Sequence, residues 1–184
     1  YAKAIIKVIN ECANLINHDP DINGRIKIVF LENYNVTLAE QIIPAADVSE
    51  QISLASKEAS GTSNMKLMLN GAVTIATLDG ANVEIRDAVG DDNIVIFGMT
   101  EAEVYACYES NDYSAMKIYE ESPILQRILN AFVDGTVPNI QYEGQAVVDS
   151  LLKYNDEYFL LRDFASYVAA QEQIDRLYSD KKRW

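Results

Sequence analysis

The residues best suited to chemistry lie in one run, Glu58-Ala59-Ser60-Gly61-Thr62-Ser63-Asn64-Met65-Lys66, a small polar stretch that passes directly into the apolar segment starting at Leu67. Ser63 reads as an N-cap and Asn70-Gly71 as a helix stop. Together they predict a short helix over Asn64 to Asn70 with Gly71 as its left-handed terminator. Lys66 then falls in the first turn, where an ammonium opposes the helix macrodipole by up to about 1 kcal/mol. Three arrangements resolve that conflict: Lys66 points into solvent, an anion sits at the helix end, or the nitrogen is used covalently. Pyridoxal phosphate satisfies the last two together, through an imine between its aldehyde and Lys66 and through a phosphate met by the loop donors of Gly61, Thr62 and Ser63. On spacing alone, a capped helix with an exposed lysine is the commoner outcome.

The remaining composition narrows the chemistry. The 184 residues include a single histidine, His18, so a histidine-based triad or zinc site is not expected. Cys12 and Cys107 stand far apart with no metal-ligand spacing, which fits a reducing, cytoplasmic setting and no metal site. A net charge of −13 argues against nucleic acid or an anionic membrane surface as partner, because each needs a basic face. It leaves room for a phosphate held by a local cluster of donors. No run approaches the roughly 20 apolar residues of a membrane-spanning helix. With 49% hydrophobic and 23% charged residues, the chain has the balance of one globular domain spanning 1–184. Because it opens on Tyr1 inside a helical pattern, it is expected to be a piece of a longer chain.

The elements that must position the polar run come next. Ala2, Ile5, Ile6, Ile9, Cys12, Ala13 and Ile16 recur at helical spacing and predict an amphipathic helix that stops before Asp19-Pro20. Residues 26–31, apolar and β-branched with only Lys27 polar, predict a buried parallel strand. Thr37 and Glu40 form a capping-box pair for a short helix closed by Pro44, which leaves Glu32, Asn33, Tyr34 and Asn35 in the strand-to-helix turn. Ligands of open α/β sheets bind outside the carboxyl ends of the strands, so Tyr34 and Asn35 are candidate contacts. Tyr34 read alone is more readily a packed aromatic at a loop corner. Further strands are expected over 72–77 and 94–97. This alternation implies an α/β core over 1–100, a Rossmann-like parallel sheet with helices on both faces. From Glu101 to residue 184 the pattern is mainly helical. Ser122-Pro123 provides an N-cap and a proline at the first helical position, followed by an apolar stripe from Ile124 to Val133. Further helices are expected over 146–152 and 164–178, their stripes read as core packing.

The polar run does not stand alone. Glu58 to Lys66, followed by Met68-Leu69-Asn70-Gly71 and by Thr77-Leu78-Asp79-Gly80-Ala81-Asn82-Val83-Glu84, closely resembles the α-glucan phosphorylases, the family of glycogen, starch and maltodextrin phosphorylases. Phe30-Leu31-Glu32-Asn33-Tyr34 and the block from Ile43 to Ser53 match as well. The resemblance is densest over 28–98 and continues more weakly to the C-terminus.

It implies the C-terminal half of a two-domain GT-B architecture, with pyridoxal 5'-phosphate covalently attached to Lys66. The implied reaction is phosphorolysis of a terminal α-1,4-linked glucose to glucose 1-phosphate, with the cofactor phosphate relaying a proton to and from the substrate phosphate. Residue by residue, Lys66 would be the covalent anchor and catalytic lysine, and Thr62 and Ser63 would offer amides to the cofactor phosphate. Tyr34 and Asn35 would lie near the cofactor. Glu58 with the Ser60 and Gly61 amides would hold sugar hydroxyls. The implied partners are the glucan, phosphate or glucose 1-phosphate, the N-terminal domain of the parent chain, and a second subunit in a homodimer. Two positions depart from the family pattern: Ser63 stands where many members have glycine, and Asn35 where some have an arginine on the cofactor phosphate. The family's basic residues for the substrate phosphate lie before this sequence begins, so the 184-residue chain alone is expected to be catalytically silent. A sugar-nucleotide glycosyltransferase of the same architecture, or a noncatalytic glucan-binding α/β domain in which Lys66 is only surface charge, are the alternative readings.

Overall fold

A computed structural model describes residues 1–184. The chain is α/β, with nine α-helices and a three-stranded parallel sheet, and it divides into two compact units. One unit is residues 1–33 with 114–157, the other 34–113 with 158–184. No helix is long and apolar enough to cross a membrane.

The first unit is helical. Helix α1 (Ala2–Asn17) ends where Asp19-Pro20 demanded, and its Val8 packs with Val137 and Ile140, flanked by Cys12, Phe132 and Val147. This unit also holds α6 (Ala115–Glu121), α7 (Pro123–Ala131) and α8 (Gln141–Val148). Ser122 caps α7 as its sequence required, its Oγ accepting the Leu125 amide at 3.4 Å with Pro123 in the first turn. Helix α8 starts earlier than its pattern suggested and runs on into a π-helical turn, Asp149–Lys153.

Residues 26–31 are not a strand, which corrects the expectation above. The sheet contains no such segment, and its apolar side chains stay accessible, Ile26 at 57% and Val29 at 61%. Its backbone is held at one point, where the Asn17 side-chain amide both donates to the Ile28 carbonyl and accepts its N–H, each at 2.8 Å. An apolar run signals a need for burial, but a strand exists only where a neighbouring backbone completes its ladder.

The second unit carries the sheet, β1 (Val48–Gln51), β2 (Val73–Ala76) and β3 (Val95–Ile96), in that spatial order and parallel throughout. β2 is central and nearly dry, with Ile75 and Ala76 fully buried. Ile75 packs with Val95, Phe97, Ala170 and Ile174, so the long helix α9 (Leu160–Ser179) lies against the sheet. β1 is absent from the strand expectations because Val48-Ser49-Glu50-Gln51 is mostly polar. Its polarity is matched by tertiary partners: the Tyr167 hydroxyl and Gln171 Nε2 on α9 both donate to the Glu50 carboxylate. Burial first, then the Glu50 carboxylate, pushes the Tyr167 phenol above its ordinary value and keeps it a donor.

Helices α2 (Val36–Ile42), α3 (Ser63–Leu69), α4 (Asn82–Val89) and α5 (Glu101–Ser110) complete this unit. Asn35, rather than Thr37, caps α2, its Oδ1 accepting the Leu38 amide at 3.2 Å. Asparagine is as strong a cap as threonine or stronger, and starting two residues earlier also places Val36 and Thr37 inside the helix.

Because Ile75 is fully buried between β-strands and α9, Ile75→Ala should cost about 2–5 kcal/mol in urea unfolding. Leu69→Ala, at a side chain 86% exposed, should stay within about 0.5 kcal/mol.

Candidate functional site

The polar run leaves the sheet at the carboxyl end of β1 and re-enters as α3, with residues 77–82, the turn after β2, beneath it. Thr77 Oγ1 donates to the Ser53 carbonyl at 2.5 Å, and the Ala81 amide donates to the Ser60 carbonyl at 2.8 Å. Between these points the Asp79 carboxylate accepts the amides of Ser56 at 2.9 Å, Lys57 at 3.2 Å and Glu58 at 2.7 Å. A buried pair of side-chain amides closes the arrangement. Asn64 Nδ2 donates to Asn82 Oδ1 at 2.9 Å, and Asn82 Nδ2 donates to the Thr77 carbonyl at 3.1 Å. Burying unpaired amides would cost roughly 1–3 kcal/mol each, so this pairing fixes the register between α3 and the turn.

Over this scaffold lies a cavity of about 450 Å³, lined by Gln51, Ser53, residues 58–64 and Asn82. It brings together Glu58, Ser60, Gly61, Thr62 and Ser63 of the expected site. Glu58 is exposed and also borders a second cavity of about 360 Å³ on the Leu78-Asp79-Gly80 side. Its Oε2 accepts the Ser53 hydroxyl at 3.4 Å. The main-chain N–H groups of Gly61, Thr62 and Ser63 are given no acceptor by the protein. An anion seated there would therefore meet three preformed donors.

Several expectations change here. The N-cap of α3 is Thr62, not Ser63, and it makes no side-chain cap bond. Ser63 lies inside the helix because its Oγ donates to Gln51 Oε1 at 3.0 Å, a tertiary partner that replaces the local one. Ser63 has no positive φ, so the departure from glycine at this position costs no backbone strain. The helix stop behaves as expected: Gly71 at φ 93° sends its N–H to the Met68 carbonyl and the Ala72 N–H reaches the Leu67 carbonyl, a Schellman ending.

Lys66 is the fourth residue of a seven-residue helix and belongs to its last turn, where a cation suits the dipole. The predicted conflict at the helix start does not arise. Lys66 is exposed, makes no ion pair and does not line the cavity. Tyr34 and Asn35 are exposed and do not line this cavity either, and Asn35 Oδ1 is engaged in the α2 cap.

Asn64, Asp79, Gly80 and Asn82, the residues that hold the loop, were not assigned site roles from the sequence. Their signal was present: polar residues crowded immediately behind the buried strand β2, where main chain and side chains must be paired inside the fold. Gly80 is required sterically. A Cβ there would come within 2.5 Å of the Ser60 carbonyl oxygen, and its φ is +52°. Gly80→Ala should therefore destabilise the unit by roughly 1–3 kcal/mol from backbone strain alone. Amide resonances of Ser60 and Ala81 should shift with it, whereas an unchanged spectrum would refute the clamp.

A family model for carbohydrate phosphorylases matches residues 1–184. The chain is 48% identical over 184 residues to the glycogen phosphorylase of Bacillus subtilis (strain 168), covering all of this chain and 23% of that protein. It is 48% identical to the glycogen phosphorylase of Pasteurella multocida (strain Pm70) and 44% identical to the brain-form glycogen phosphorylase of Mus musculus, each over 183 residues and 22% of the relative. The chain thus spans less than a quarter of the length of these relatives. With the family model matched from end to end, the chain belongs to the carbohydrate phosphorylase family.

Proposed function

We propose that this chain is the cofactor-bearing part of a pyridoxal-phosphate-dependent α-glucan phosphorylase, which releases terminal α-1,4-linked glucose as glucose 1-phosphate. The observation that carries the reading is the set of unused amides at Gly61, Thr62 and Ser63, beside the Glu58 carboxylate and one helical turn from the unpaired Lys66. The donor set fits the cofactor: amides for a phosphate and an accessible primary amine for an aldehyde.

When bound, pyridoxal phosphate would supply a phosphate that exchanges a proton with the substrate phosphate. The chain's own residues do the rest. Lys66 anchors the cofactor on its face of α3. Thr62 and Ser63 amides hold an anion without supplying an acidic proton of their own. On the cavity face, Glu58 accepts sugar hydroxyls while the Ser60 and Gly61 amides donate to them, fixing the anomeric carbon. Tyr34 and Asn35 would approach the cofactor from the turn before α2.

In this reading the segment belongs to the C-terminal half of a GT-B protein, cytoplasmic and homodimeric, whose N-terminal domain completes the glucan cleft. The isolated 184 residues are then silent. Phosphorolysis by the purified chain, abolished by Lys66→Ala, would contradict this.

The cofactor assignment is tested on the full-length protein by incubation with pyridoxal phosphate, borohydride reduction and peptide mass analysis. A pyridoxyl adduct on Lys66 is expected; its absence sinks the phosphorylase reading. Lys66→Ala should abolish activity, and Glu58→Ala should lower kcat/KM by roughly a hundredfold through lost positioning of the sugar.

A further inference from the structure

The loop from Leu54 to Asn64 is tied to the sheet end by two separate devices. Its second half is held by the Ala81 amide on the Ser60 carbonyl and by the Asn64–Asn82 pair. Its first half has a different anchor. The amides of Ser56, Lys57 and Glu58, three in succession, converge on the buried carboxylate of Asp79, which comes from 21 to 23 residues along the chain. Consecutive amides turned to one side form a nest for an anion, and here the anion is a side chain of the protein itself. The nest is bought with strain: Ser56, not a glycine, sits at φ 79°, a conformation that persists only where its surroundings impose it.

We propose that Asp79 is a positioning residue for sugar recognition, its carboxylate setting the turn that aims Glu58 into the cavity. This inference rests on the phosphorylase reading of Glu58. Two of the three amides, those of Lys57 and Glu58, share Oδ2, and that of Ser56 takes Oδ1. Asparagine keeps the shape but must turn an NH₂ group against at least one of these N–H donors, whichever way it is flipped. The turn at 56–58 then loosens and Glu58 loses its aim. The stretch from Thr62 to Lys66 keeps its own anchors, so the cofactor site should be untouched. A residue serving only global stability would not divide the two.

The test uses the full-length holoenzyme and the affinity for glucose 1-phosphate, measured by titration in the wild type, Asp79→Asn, Glu58→Ala and the double variant. Asp79→Asn should weaken binding roughly tenfold or more, as expected for a lost charge-assisted hydrogen bond. It should add less than about twofold in the Glu58→Ala background, because it acts through Glu58. The yield of reduced pyridoxyl adduct on Lys66 should not change. Equal effects in both backgrounds, unchanged affinity, or a fall in adduct yield alongside affinity would each overturn the inference. If Glu58→Ala itself leaves affinity unchanged, the sugar role of the loop falls and this inference with it. If Glu58→Ala weakens binding and Asp79→Asn does not, this inference alone fails. Should Asp79→Asn not fold, amide hydrogen exchange in Asp79→Glu decides: acceleration confined to 56–58 supports the role, and acceleration spread through 60–66 refutes it.

Discussion

A carboxylate taken out of water must find hydrogen-bond donors, and Asp79 finds them in the backbone of the loop above it. The dependence runs both ways. The buried side chain needs the amides of 56–58, and those amides, pointing inward from a turn with a positive φ at Ser56, need an acceptor. Either alone would be a penalty; together they join the carboxyl end of β2 to the segment that carries Glu58. The rest of the candidate site depends on this junction, because Glu58, Ser60 and Gly61 have no regular secondary structure of their own.

The same turn after β2 supplies the remaining constraints in an ordered series. Thr77 holds the Ser53 carbonyl, Asp79 the next three amides, Ala81 the Ser60 carbonyl, and Asn82 the first turn of α3 through Asn64. Gly80 allows the approach because any Cβ would meet the Ser60 carbonyl. The template does not satisfy every donor above it: the amides of Gly61, Thr62 and Ser63 have no acceptor in the protein. The amides of Ala59, Ser60 and Asn64 likewise find no acceptor in the protein, so the whole rim of the loop beyond the Asp79 anchor is open to solvent or ligand.

Much of this was legible in the residues, and the failures have specific causes. The Gly71 stop and the Ser122-Pro123 start came out as read because a cap is decided within a few residues of chain. Caps went wrong where a second candidate stood nearby: Asn35 displaced Thr37, and Ser63 turned to Gln51 across the sheet end. The strand expected over 26–31 failed because apolar character does not supply a ladder partner. β1 was overlooked for the converse reason, since its polar residues are matched by Tyr167 and Gln171 from a helix more than a hundred residues away.

The sequence by itself determined the family, the local helix stops, and the spacing that places Glu58, the loop amides and Lys66 within one short stretch. These follow from residue types a few positions apart. Only the tertiary structure decided that Lys66 does not line the cavity, that the Gly61, Thr62 and Ser63 amides have no protein acceptor, and that Asp79 lies beneath Glu58. Each of those depends on which backbone groups are already paired. Pairing is settled by segments brought together from 12 to 24 residues apart, a distance over which residue type alone carries no geometry.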